Sequence, residues 1–176
     1  MELRPQDLLV LFKVAAHPGR RWTYAALAEA LSMSASEVHA SVKRAVASGL
    51  AVTHGRGDWA PLRPALLEFA LHGVRYVWPA MPGPVKRGVA TSFGAEPLAA
   101  QITAAAGEAP VWAFPGGSAK GPCLSPLYRS APKAALADPA LHRLLALQDA
   151  LRAGRARERT LAAEWLRKEL DVADAA

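Results

Sequence analysis

The chain has 176 residues, 52% of them hydrophobic and 20% charged, which is typical of a globular protein with one large or two small domains. Its 21 lysine and arginine residues outnumber its 15 aspartate and glutamate residues, and the formal net charge of +6 mildly favours a polyanionic partner. The single cysteine excludes a disulfide within the chain and fits a reducing compartment.

The first predicted element is a helix in the segment RPQDLLVLFKVAAHPG. Its apolar residues recur with helical spacing, at Leu8, Leu9, Leu11, Phe12 and Ala15. Pro18 and Gly19 end this helix. The apolar run is short and is interrupted by Lys13, so it predicts neither a signal peptide nor a membrane span. We therefore expect a cytoplasmic protein with no membrane partner.

Two further helices are predicted by their capping residues. Thr23 is a suitable N-cap for the first, and a tight turn at Ser32-Met33 separates it from the second. Ser34 begins the second helix with Glu37 three residues later, a capping box in which each side chain satisfies a backbone N–H group. Gly49 ends this helix.

A hairpin and a fourth helix complete the first part of the chain. The segments LAVTH and DWAPL flank Gly-Arg-Gly and predict two antiparallel strands. The segment RPALLEFALHG then predicts a short helix that ends at Gly73.

This order, with the segment TYAALAEALSMSASEVHASVKRAVASGLAV at its centre, resembles the winged helix-turn-helix transcription regulators, the broad group that includes the MarR-like repressors. The resemblance covers residues 5–72, and no family is suggested by residues 74–176. It implies a third helix that lies in the major groove of double-stranded DNA and a hairpin that reaches the flanking backbone.

Nine residues are candidate DNA contacts under this interpretation. The third helix offers hydroxyls at its N-terminus, where free N–H groups suit a phosphate, and basic side chains along its outward face. Arg56 at the hairpin tip and two arginines before the second helix are placed to reach a groove or the backbone. The full set is Arg20, Arg21, Ser34, Ser36, His39, Ala40, Lys43, Arg44 and Arg56. The basic content is modest, so a winged helix that binds a protein, as in an antitoxin or adaptor, remains the alternative.

Residues 74–134 are rich in proline and glycine. We expect strands in VRYVW and APVWAF and a helix in EPLAAQITAAAG. Lys86 lies eight positions after Trp78, and Lys120 lies eight positions after Trp112. This shared spacing indicates either a structural repeat or two similar Pro-Gly turns.

The C-terminal segments DPALHRLLALQDALRAG and RARERTLAAEWLRKELDV predict an antiparallel helix pair, with Asp138 as N-cap and Pro139 at the first helical position. Its leucines exceed what one partner helix covers, at Leu141, Leu144, Leu145, Leu147 and Leu151. They predict either dimerisation or packing on the preceding segment. The nearby arginines could pair with Asp149 and Glu158, bind a nucleic-acid backbone or dock a partner protein. They are Arg152, Arg155, Arg157 and Arg159.

Nothing in the sequence predicts catalysis, a cofactor or a metal site. The Lys120 region does not fit the phosphate-loop pattern, and the five histidines are scattered, at 17, 39, 54, 72 and 142. The expected fold is α+β: a winged helix-turn-helix domain (1–73), a small mixed segment (74–134), a helical hairpin for dimerisation (135–172) and a tail (173–176). The expected function is a sequence-specific, homodimeric transcriptional repressor.

Overall fold

The computed structural model describes residues 2–55, 57–105 and 107–171. Within these ranges the chain forms a mixed α+β fold of eight α-helices, one short 3-10 helix and two small antiparallel sheets. The predicted class, α+β, is confirmed.

Residues 5–72 fold in the predicted order of three helices, a hairpin and a fourth helix. Ser34 Oγ accepts a hydrogen bond from the Glu37 backbone N–H at 3.1 Å, and Glu37 Oε2 accepts one from the Ser34 N–H at 2.9 Å, so the capping box is confirmed. The elements are α1 (Pro5–Ala15), α2 (Tyr24–Leu31), α3 (Ala35–Ala47), β1 (Ala51–Gly55), β2 (Asp58–Pro61) and α4 (Arg63–His72).

Residues 74–134 form a three-stranded sheet with short helices beside it. The strand order is β4-β3-β5, and both outer strands run antiparallel to β3. The elements are α5 (Val74–Val77), β3 (Val85–Ala90), the 3-10 helix Ser92–Gly94, β4 (Val111–Ala113), β5 (Ala119–Pro122) and α6 (Ala131–Ala137).

Two predictions in this region are wrong. The segment VRYVW forms the helix α5, because Gly73 keeps a right-handed helical conformation and the chain continues to turn after it. The segment EPLAAQITAAAG forms turns at 96–101, and none of its described residues is helical. Leu98 is its one fully buried large side chain, and the neighbouring alanines bury too little apolar surface to hold a longer helix.

The two similar segments around Trp78 and Trp112 are not a structural repeat. Trp78 follows the helix α5, whereas Trp112 lies within the strand β4. Lys86 and Lys120 lie on adjacent strands, where Arg87 is the residue opposite Lys120. The shared spacing therefore reflects two unrelated local structures.

The long C-terminal helices are α7 (Pro139–Ala153) and α8 (Ala156–Glu169), and they pack against each other as predicted. The helix α7 also packs on α1, α4, α5, α6 and the 3-10 helix. Its leucines are therefore buried inside the chain. The prediction that α7 carries surplus apolar surface is wrong, so this helix gives no support for dimerisation. The same packing joins the three expected units through one hydrophobic core.

The sheet is attached to α7 by a buried carboxylate. Asp149 is 1% exposed, and its Oδ2 accepts hydrogen bonds from Thr91 Oγ1 at 2.9 Å and Trp112 Nε1 at 2.6 Å. Arg152 donates to its Oδ1 at 2.7 Å and also to the backbone carbonyl oxygens of Trp78 and Ser125. The predicted salt bridge between Arg152 and Asp149 is therefore confirmed.

A second carboxylate joins the start of α7 to α1. Asp138 caps α7, and its Oδ2 lies 2.6 Å from Lys13 Nζ and 2.7 Å from His17 Nε2. Burial favours the neutral acid, but the hydrogen bonds from Lys13 and His17 outweigh burial and lower the pKa of Asp138 to about 2.

Asp138→Asn should lower the free energy of unfolding at pH 7 by about 2 kcal/mol, because asparagine still caps α7 but no longer pairs with Lys13. Since the folded pKa lies below the usual 3.8, this stabilisation is present above about pH 4 and is lost as the pH falls towards 2. Urea denaturation at several pH values measures both effects.

The matched control is Asp58→Asn, which removes the exposed pair with Arg21. It should change the free energy of unfolding by less than about 0.5 kcal/mol at any of these pH values. Equal costs for the two variants would contradict the importance assigned to the Asp138 contacts.

Candidate functional site

The helix α3 has one buried face and one exposed face. Val38 and Val42 are buried where α3 packs on α1 and α2. Ser36, His39 and Lys43 are exposed on the other side. The spacing of three to four residues places these polar groups in one row along the helix. This row, Ser36-His39-Lys43, is the polar face of α3.

The N-terminus of α3 is already occupied by an internal network. Ser34 Oγ lies 3.0 Å from Ser36 Oγ and 2.9 Å from Glu37 Oε2. Tyr128 donates a hydrogen bond to Glu37 Oε1 at 2.7 Å. The hydrogen bonds from the Ser34 backbone and from Tyr128 lower the pKa of Glu37 to about 2. A fixed negative charge therefore lies where free N–H groups were expected to attract a phosphate.

His39 and Ala40 differ in how they are held. The His39 ring lies perpendicular to the Tyr24 ring on α2, with 5.2 Å between ring centroids. Ala40 is half-buried and offers only a methyl group. Lys43 is exposed one turn after His39 and adds the positive charge of this face.

The predicted exposure of Arg44 is wrong. Arg44 is only 9% exposed, and its guanidinium binds the buried carboxylate of Asp7 on α1 through two bonds, at 2.8 and 2.6 Å. It also donates to Ser41 Oγ at 3.1 Å. This bidentate pair joins α3 to α1. Arg44 therefore cannot contact a partner without breaking a buried ion pair.

Arg20 and Arg21 lie beside the hairpin, away from the row on α3. The guanidinium carbon of Arg20 lies 3.8 Å from the centre of the Trp22 ring. Arg21 is highly exposed and its NH2 lies 3.4 Å from Asp58 Oδ2 on β2. Arg56 lies outside the described residues. Gly55 and Gly57 on either side of it have φ angles of +88° and +80°, which glycine adopts at little cost.

Sequence reasoning missed Tyr128 and Arg129 at this site. Tyr128 lies 91 positions from Glu37 and reaches it because α6 packs on α2. Arg129 is exposed, and its charge helps to lower the pKa of Glu37. No local pattern around residues 126–130 indicates this contact, since it depends on how two distant segments pack.

Comparison with known protein families, with curated proteins and with solved structures finds no match. Among the described residues, no cluster of three or more His, Cys, Asp or Glu side chains could hold a metal ion. No helix in those ranges combines the length and apolar character needed to cross a membrane.

Substituting methionine for Arg44 should destabilise the fold, whereas the same substitution at its neighbour Lys43 should not. Arg44→Met should lower the free energy of unfolding by about 3 kcal/mol, because it leaves the buried Asp7 carboxylate without its partner. Lys43→Met should change it by less than about 0.5 kcal/mol, since Lys43 is exposed. Urea denaturation of both variants checks the assignment, and a loss of stability on changing Lys43 alone would contradict it.

Proposed function

We propose that the chain is a DNA-binding transcriptional regulator whose residues 5–72 form a winged helix-turn-helix. The observation that carries this proposal is the polar face of α3, which leaves Ser36, His39 and Lys43 exposed while the opposite face is buried. A helix presented in this way can enter the major groove, where imidazole and ammonium groups donate to guanine edges or phosphates.

The turn between α2 and α3 supports the same proposal. Ser32 adopts a left-handed conformation at φ 50°, and the Met33 N–H donates to the Ala28 carbonyl oxygen at 2.9 Å. The change of direction between the helices is therefore held by backbone hydrogen bonds. In this arrangement α2 braces α3, and the hairpin β1–β2 is the wing.

The wing supplies the second contact in this proposal. Its strands pack on α3 and α1, and Trp59 is buried beneath them. Gly55 and Asp58 are the last described pair of the hairpin, and Arg21 lies next to them through its contact with Asp58. Basic groups here suit phosphates that flank the groove, and they add affinity without reading sequence.

A homodimeric repressor is the form of regulator that we propose, since one small head with modest charge gains affinity from a second half-site. With the α7 leucines buried, another surface must join the two copies. Tyr76 and Met81 are 74% and 79% exposed, and Val77 and Val85 are also exposed. Four large apolar side chains exposed within ten residues favour a contact between copies here.

A protein-binding winged helix is the second candidate function. It is favoured by the same exposed apolar segment, residues 76–85, and by the loss of Arg44 from the outward face of α3. Salt dependence separates the two functions. DNA binding through several phosphates weakens steeply as salt rises, whereas binding through an apolar segment does not.

The double substitution His39→Ala with Lys43→Ala should weaken binding to DNA from the region upstream of the protein's own gene by about tenfold or more, because each contact contributes about 1 kcal/mol or more. The melting temperature should stay unchanged, since both side chains are exposed. Fluorescence anisotropy at several salt concentrations measures affinity and the number of phosphates contacted.

The control for that experiment is the double variant His72→Ala with Lys86→Ala, which removes the same residue types from exposed positions on α4 and β3. It should bind DNA within about twofold of the unchanged protein. An equal loss of DNA affinity in both variants would mean that net charge, and not the polar face of α3, sets the affinity. If the unchanged protein does not bind DNA at low salt, the DNA-binding proposal is rejected.

Val77→Asp with Met81→Asp should convert the proposed dimer into a monomer, because two like charges would face each other across a two-fold contact. Sedimentation velocity measures the change in mass. A control with Leu136→Asp alters another exposed apolar side chain, on α6, and should leave the dimer intact. A dimer that survives the double substitution would exclude this segment as the interface.

A further inference from the structure

A cavity lies between the loop that joins α1 to α2 and the outer side of the hairpin. Its volume is about 390 Å³, and its walls come from residues 14–22, from the strands β1 and β2 and from Arg63 at the start of α4. It is separate from the polar face of α3, none of whose residues line it.

The lining of this cavity is strongly basic. Three arginines, Arg20, Arg21 and Arg63, face one carboxylate, Asp58, and two histidines add donors that are neutral or positive. The formal charge of the lining is therefore +2 with the histidines neutral. A concave surface with this charge concentrates anions more strongly than a flat one does.

Trp22 contributes a buried donor without a partner. Its Nε1 atom is excluded from solvent and forms no hydrogen bond with any described residue. An unsatisfied buried N–H costs about 1–3 kcal/mol. The ring also lies under the Arg20 guanidinium, so a change in the position of Arg20 alters the surroundings of this ring.

The cations divide into fixed and available groups. Arg63 donates to the carbonyl oxygens of Ala15 and Leu170, each at 2.8 Å, and His17 contacts Asp138. These two shape the cavity wall. Arg20 stacks on Trp22 and Arg21 makes one long contact with Asp58 at 3.4 Å, so both guanidinium groups keep further N–H donors for an incoming oxygen.

We propose that this cavity binds a phosphate group, with Arg20 and Arg21 donating to its oxygens and neutralising its charge. His54 on β1 lines the same cavity and adds a further donor. Two guanidinium groups and an imidazole ring provide the several convergent donors that a phosphate requires. Arg21 exchanges its weak contact with Asp58 for the phosphate oxygens.

The phosphate has two sources, a DNA backbone or a small phosphorylated molecule. The first source rests on the proposed function and the second does not. As a DNA site, the cavity would grip one backbone phosphate beside the wing and orient the hairpin, a contact that carries no sequence information.

The indole N–H signals in ¹H–¹⁵N correlation spectra test this proposal directly. The protein has five tryptophans, and Trp22→Phe identifies the Trp22 signal, with sequential backbone assignment as a second route if that variant does not fold. Titration with inorganic phosphate should move the Trp22 signal and saturate, because the Arg20 guanidinium that stacks on the ring also binds the phosphate. Sodium chloride of equal ionic strength should leave the signal in place.

The double variant Arg20→Gln with Arg21→Gln should abolish that shift, because it removes both available charges from exposed positions. The matched control, Lys86→Gln with Lys120→Gln, removes the same net charge from β3 and β5 and should keep the shift. An unmoved Trp22 signal, or equal shifts with chloride and phosphate, would overturn the proposal.

A short DNA duplex distinguishes the two sources. A Trp22 shift with the duplex, lost in the Arg20→Gln/Arg21→Gln variant, assigns the cavity to the DNA backbone. A shift with inorganic phosphate but not with a duplex that binds elsewhere on the protein assigns it to a small phosphorylated molecule. If no duplex binds, the proposed function fails, while the titration with inorganic phosphate still decides the phosphate site.

Discussion

The buried carboxylate of Asp149 is the interaction on which the second half of the chain depends. It holds the end of β3 through Thr91 and the strand β4 through Trp112, and it fixes Arg152 against two further carbonyl oxygens. A buried charge is stable only when its hydrogen-bonding capacity is satisfied. The small sheet can therefore adopt one position on α7, and residues 74–130 are attached to the helical core at that position.

The packing of α7 explains why the exposed row on α3 keeps its orientation. The helix α1 contacts α7 on one side and α3 on another, and the two ion pairs Asp138–Lys13 and Asp7–Arg44 fix these contacts. Tyr128 then reaches Glu37 from the segment beside α6. The N-terminal module, residues 5–72, and the C-terminal helices are thus held together by these contacts. A ligand or partner that displaces α6 or α7 would therefore alter the orientation of α3.

Local signals predicted most of the N-terminal module. The capping box at Ser34 and Glu37 and the glycine-flanked hairpin tip each act within a few residues, so the sequence indicates them directly. The exposure of Ser36, His39 and Lys43 followed from helical periodicity. The same periodicity wrongly predicted that Arg44 is exposed. Its partner Asp7 lies 37 positions away in the sequence, and pairing with it overrides the average preference of arginine for solvent.

By itself the sequence determined where most of the longer helices begin and end, since caps, prolines and glycines act on their own neighbours along the chain. Only the tertiary structure decided which of the side chains predicted to be exposed are accessible to a ligand or partner. It buried the α7 leucines within the chain, paired Arg44, and placed residues 20–22 beside the hairpin to form one cavity. It also left four large apolar side chains exposed, Tyr76, Val77, Met81 and Val85. The physical reason is that burial and ion pairing depend on contacts between distant segments, which periodicity along one element does not encode.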